Sequence, residues 1–105
     1  MKDDAHRGDI WLMDLGMVAK VRPCLLLTDF PAPEELALIT IVPHTTALRG
    51  NPWEFSLPQP YLRDGAFHLQ QIHSVPISTL MRRLGVLSDA DYESILNKLA
   101  ERLSV

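Results

Sequence analysis

Apolar and polar residues fall into short blocks along most of the chain, and most blocks are closed by proline, glycine or aspartate. Ile10-Trp11-Leu12-Met13 follows the breaker Arg7-Gly8-Asp9 and predicts a first strand, which the turn residues Asp14-Leu15-Gly16 end. A brief loop over residues 17–20 leads to Arg22-Pro23, which opens a second apolar run, Cys24-Leu25-Leu26-Leu27-Thr28. Proline suits a strand start because it need not donate a ladder bond there. Residues 36–42, Leu-Ala-Leu-Ile-Thr-Ile-Val, form the most strand-like run; β-branched residues dominate its second half and Pro43 stops it. Trp53-Glu54-Phe55-Ser56-Leu57 and Ala66-Phe67-His68-Leu69-Gln70 alternate with period two, as half-buried strands do. Pro76-Ile77-Ser78-Thr79-Leu80 reads as the start of a short helical or irregular segment ended by Gly85, with Val86-Leu87 a very short strand.

The pattern then changes. Ser88-Asp89-Ala90-Asp91 is close to a capping box, and the two aspartates suit the positive end of a helix dipole. Tyr92, Ile95, Leu96, Leu99 and Leu103 recur at spacings of three and four, which makes one apolar stripe, and Arg102 lies in the last turn. The spacing predicts a C-terminal amphipathic helix lying on a sheet. The chain is thus expected to be mainly β (α+β), a small, partly open barrel plus that helix, with residues 1–105 forming one domain.

Composition narrows the function. Hydrophobic residues make up 47% and charged residues 22%, an ordinary globular balance. The single cysteine, Cys24, has no partner for an internal disulfide and lies in an apolar run, as a buried thiol in a reducing compartment does. There is no apolar stretch of the roughly 20 residues a bilayer requires, and the polar N-terminus lacks a signal-peptide core, so a cytoplasmic location with no membrane association is expected. A formal net charge of −3 argues against coating nucleic acid with a broad basic face. It leaves room for a small cleft with a few local cations.

The histidines are His6, His44, His68 and His73, without an HExxH motif or a cysteine pair, so no metal and no cofactor is expected. A GxSxG elbow and a glycine-rich phosphate loop are also missing. Polar residues at strand ends remain. Arg22 stands just before one strand, and Thr45 and Thr46 stand just after another. A forked, permanently charged guanidinium and neutral hydroxyl donors suit a phosphate. The same residues suit a sheet-edge cap and a turn, and both readings stay open at this point.

In order, Arg7-Gly8-Asp9-Ile10-Trp11-Leu12, Arg22-Pro23, Ile41-Val42-Pro43-His44-Thr45-Thr46, Gln71-Ile72-His73-Ser74-Val75 and Leu84-Gly85-Val86-Leu87-Ser88 resemble the PemK/MazF family of type II toxins, from residue 7 to the end. The resemblance implies an SH3-like barrel that dimerises, a metal-independent endoribonuclease cleaving single-stranded RNA (mRNA) at short motifs, and a cognate antitoxin as partner. It implies attack of the ribose 2′-OH on phosphorus, leaving a 2′,3′-cyclic phosphate, with Arg22 and Thr45 as the catalytic pair. Where the family has arginine in its Gln-x-Arg segment this chain has His73, and where some members have Arg and Asp it has His68 and Gln70. The two histidines are therefore candidate proton carriers. They would point outward together if one extra residue were absorbed near Gln70-Gln71. Lys20, Thr46, Arg49, Gln70 and Gln71 are the expected RNA contacts, and Trp53 is expected in the core. Rival readings are a relative that only binds RNA or antitoxin, and an SH3-like protein-interaction module.

Overall fold

A computed structural model describes residues 1–16 and 20–105; most of the predicted 17–20 loop lies outside them. The strands are β1 (Asp9–Asp14), β2 (Val21–Leu26), β3 (Leu38–Thr45), β4 (Glu54–Phe55), β5 (Ala66–His68), β6 (His73–Pro76) and β7 (Leu80–Val86), followed by helix α1 (Asp89–Leu103). Their order in the sheet is β4-β5-β3-β2-β1-β7, with β6 also on β3, and every pairing is antiparallel. Among the described residues the end strands β4 and β7 do not pair, so the sheet stays open. No described helix is long and apolar enough to cross a membrane.

Both faces of the sheet are buried, which is why its central strands read as near-continuous apolar runs. Trp11, Met13, Cys24, Leu26, Ile39 and Ile41 form one cluster with Val75 and Leu80. Ile10, Leu25 and Val42 alternate with them and form the other cluster, with Phe67, Leu69 and, from α1, Ile95 and Leu99. Ser88 caps α1, its Oγ accepting from the Asp91 N–H at 3.1 Å. The apolar stripe is narrower than predicted: Leu96 and Leu103 are exposed. Trp53 is partly buried against the second cluster, with Lys98 and Arg102 of α1 over its ring at 5.0 and 5.3 Å.

The expected strand over residues 53–57 shrinks to Glu54–Phe55, and three further strand expectations change. Pro43 does not stop β3, which runs through it to Thr45. The Thr40 carbonyl accepts from the Leu27 N–H at 2.9 Å, so even-numbered residues of β3 direct their backbone groups toward β2 and odd-numbered ones toward the other edge. On that edge β6 reaches only to Ile41 and β5 begins at His44. The missing N–H of Pro43 therefore falls in the gap between two partners, where no ladder bond is needed.

The run from Ala66 to Gln70 is cut short at His68, and a 3-10 turn over Leu69–Gln71 follows. This turn absorbs the residue that parity demanded, and Phe67, Leu69 and Ile72 all reach the second cluster. The segment after Pro76 is mostly strand, because β7 runs for seven residues. Its Met81-Arg82-Arg83 sequence hides the alternation, and Arg83 owes its place to partners distant in sequence.

Those partners tie the N-terminus to the sheet. Asp9 is 3% exposed, and its Oδ2 accepts from the His6 backbone N–H at 2.9 Å, Trp11 Nε1 at 3.1 Å and Arg83 Nε at 3.1 Å. Arg83 also donates to the Asp4 carbonyl at 2.7 Å and lies 5.3 Å from the Trp11 ring centroid. Asp9→Ala leaves these donors without their acceptor. It should lower unfolding free energy by about 3 kcal/mol, measured by urea denaturation; a loss below about 0.5 kcal/mol would refute this account of the junction.

Candidate active site at the end of strand β3

Where β3 leaves its partners, the chain opens a cavity of about 650 Å³. Leu12, Pro23 and Leu84 of β1, β2 and β7 give it apolar walls, and Tyr61 adds a ring. Its polar lining comes from Arg22 on β2, His44 and Thr45 on β3, Thr46 just beyond, Arg63 in the loop before β5, and Arg82 on β7. Three arginines and no carboxylate among the described lining residues make its formal charge +3, in a chain whose total is −3. A smaller cavity of about 290 Å³ adjoins it, sharing His44 and Arg63 and adding Ser56, Gln59 and Asp64.

The strand end is held by its own turn. Thr45 Oγ1 accepts from the Ala47 N–H at 3.1 Å, which leaves the hydroxyl hydrogen available to donate into the cavity. Gly65 makes the close approach of the next segment possible: a Cβ there would lie 2.1 Å from the Thr45 carbonyl oxygen and 2.9 Å from His44 Cε1. Gly85 does the same for Tyr61, whose ring and hydroxyl lie 2.4 Å from where a Cβ would be.

The sequence-predicted residues divide between this cavity and elsewhere. Arg22, Thr45 and Thr46 line it; Lys20, Arg49, His68, Gln70, Gln71 and His73 are not among its described lining residues. The two candidate histidines lie on other parts of the sheet. His68 is opposite Glu54 on β4, and its Nδ1 is buried with no hydrogen-bond partner among the described residues. His73 is opposite Ile41, four strand positions before Thr45, and its Nδ1–H donates to the Gln71 carbonyl at 2.7 Å.

The backbone N–H of Arg49 donates to Glu54 at 2.7 Å, with those of Gly50 and Asn51 beside it, and these donors, Arg49 first, hold the Glu54 carboxyl below the usual range. Gln70 Oε1 accepts from Asn51 Nδ2 at 3.3 Å. Arg49 through its backbone, and Gln70 through its side chain, thus help to build the loop into β4. Lys20 closes the first hairpin, its N–H donating to the Gly16 carbonyl at 2.6 Å with φ 60°. Sequence reasoning missed His44, Arg63 and Arg82 as site residues. His44 stands inside the quoted motif, whereas the arginines carry no local signal and are brought in by the sheet order.

Comparison with known proteins places the chain in a family. The family described as PemK-like, MazF-like toxin of type II toxin-antitoxin system matches residues 6–103. The chain belongs to this family. A relative named probable endoribonuclease MazF5, from Mycobacterium tuberculosis, is 30% identical over 96 residues, 89% of this chain and 87% of its own length. Among solved structures, an endoribonuclease in complex with its cognate antitoxin, from a mycobacterial species, aligns with TM-score 0.77 at 21% identity, covering 98% of this chain and 96% of that one. A MazE-MazF crystal structure from Deinococcus radiodurans gives TM-score 0.77 at 20% identity, covering 95% of each chain. At these identities the structural likeness speaks for the fold, and this PemK/MazF-family chain shares that fold over nearly its whole length.

Two expected outcomes follow from the packing of the family motif. Gly65→Ala should cost about 2 kcal/mol, read by urea denaturation; unchanged stability would mean the approach to Thr45 is not tight. Burial holds His44 below its ordinary pKa of 6.5. Between its lowered folded value and 6.5 the unfolded chain binds more protons, so stability falls as pH drops below 6.5 and levels off below the folded value. The His44 Cε1–H NMR titration should therefore have its midpoint below 6.5, and His44→Gln should flatten part of the stability slope between about pH 7 and pH 5.

Proposed function

We propose that this chain is a sequence-specific, metal-independent endoribonuclease toxin that cleaves single-stranded RNA by attack of the 2′-OH on the adjacent phosphate. The observation that carries the reading is the cavity at the end of β3, where Arg22, Thr45 and Thr46 of the family segments meet Arg63 and Arg82 with no described carboxylate among them. Such a lining favours a phosphodiester, and its apolar walls raise the strength of each charged contact. The pentacoordinate phosphorane concentrates negative charge on its equatorial oxygens. Arg22 and the Thr45 hydroxyl are assigned to that charge, a role worth a few kcal/mol per donor. Thr46, Arg63 and Arg82 are assigned to holding the RNA backbone.

The reading includes partners and place. A neighbour with this fold is seen with its cognate antitoxin, and for this chain a cognate antitoxin, a homodimeric state and a cytoplasmic location are part of the proposal. RNA cleavage is also in keeping with the 30%-identical relative named probable endoribonuclease MazF5.

The test is cleavage of mixed single-stranded RNA in EDTA with the new ends mapped. Cyclic-phosphate ends at a short motif are expected. Arg22→Ala should lower kcat/KM by about 10²–10³-fold while leaving the urea midpoint close to that of the native chain. RNA binding without cleavage, or full cleavage by Arg22→Ala, would reject the assignment.

A further inference from the structure

The ribonuclease reading needs a group that accepts the 2′-OH proton, and neither His68 nor His73 lines the cavity that holds Arg22 and Thr45. His44 does. It precedes Thr45 on β3, is 6% exposed, and borders both the larger cavity and its smaller neighbour. Its ring meets Phe67 edge to face, with centroids 5.1 Å apart and planes at 77°, and Gly65 lies close by its Cε1. An imidazole held between a core phenyl ring and a glycine backbone keeps one orientation, which proton transfer needs.

We propose that His44 is the general base of the reaction, taking the 2′-OH proton of an RNA phosphodiester bound in the β3-end cavity; this rests on the ribonuclease reading above. The 2′-oxygen bonds to phosphorus as its proton passes to the unprotonated ring nitrogen. The bond from phosphorus to the 5′-oxygen breaks, and that oxygen takes a proton from a water in the cavity. The imidazolium then gives its proton to the hydroxide so formed, restoring the neutral ring, and nothing is oxidised or reduced.

The surroundings favour the neutral, base-competent form. Burial disfavours the imidazolium. Arg22 on β2, Arg63 before β5 and Arg82 on β7 are the cationic groups lining its cavity. Asp64 lies in the smaller cavity, and His68 on β5 is the other titratable ring on the strand packed against His44. A phosphodiester anion bound beside the ring would favour the imidazolium and raise the His44 pKa.

The experiment combines kinetics and NMR on the full chain. Single-turnover cleavage of a short single-stranded RNA is followed from about pH 5 to pH 9 for the native chain, His44→Gln and His44→Ala. The native rate should fall on the acid side. Both variants should lose on the order of 10²–10⁴-fold and the acid limb with it, while binding of an uncleavable 2′-deoxy analogue stays within about twofold; a general-base contribution of this kind sets the scale. Added imidazole should restore part of the His44→Ala rate, which a merely structural histidine would not allow. In the native chain the 2′-deoxy analogue should raise the His44 midpoint, a readout independent of how the variants fold. A native acid limb that persists in His44→Gln, or a His44 midpoint indifferent to the analogue, overturns the inference and leaves the ribonuclease reading standing. A native chain that cleaves no RNA overturns both.

Discussion

Strand β3 carries the constraint on which the remaining structure depends. One of its edges pairs with β2, and its other edge must serve β6 and β5 in succession. A single edge cannot hold two strands at one level, so the chain has to change level between them, and the 3-10 turn Leu69–Gln71 makes that step. The interruption falls where Pro43 has no N–H to give. Beyond it, β3 continues alone with β5 for its last two residues, His44 and Thr45. The strand therefore ends in a cavity instead of under another strand, and its last two residues line that cavity.

Charge is distributed on a different scale from fold. The chain is acidic as a whole, yet the cavity at the end of β3 gathers arginines separated by 41 and 19 positions, Arg22, Arg63 and Arg82. Within a Debye length of about 8 Å, local sign outweighs the total. An anionic ligand inside the cavity meets three guanidinium groups before it meets the carboxylates elsewhere on the surface. Acidic composition and anion binding coexist because screening keeps them apart.

The sequence made some of this legible and concealed the rest for physical reasons. Period-two runs and the Ser88 cap located most strands and the helix, since alternation and capping are local properties. Arg22 and Thr45 were legible through the resemblance of their short segments to a family. Parity in the 67–72 segment correctly called for one absorbed residue, and the choice of a 3-10 turn over a bulge depends on how β6 docks, which is not local. β7 was hidden because its arginines answer to Asp9, Asp4 and the cavity, all remote in sequence. His68 and His73 looked suitable because proton chemistry is a property of the residue type; which histidine borders the cavity is a property of the fold, and that histidine is His44. The Cys24 thiol shows the same separation: a reactive side chain by type, it is fully buried, and burial pushes its pKa up to about 12.

The open sheet has one more consequence, for colloidal behaviour. An unclosed sheet exposes backbone donors and acceptors at its margins, which invites strand addition and aggregation. At one margin β4 is only two residues long, too short a template. At the other, β7 is seven residues long and carries exposed Met81 and Val86. Arg82 lies between those two apolar residues and guards the margin by charge, while Arg83 is engaged by Asp9 and Asp4. Arg82 thus serves both the cavity and the exposed margin. Replacing Arg82 would change the charge of the cavity and unguard the apolar margin at once, so the two properties are bound to a single side chain.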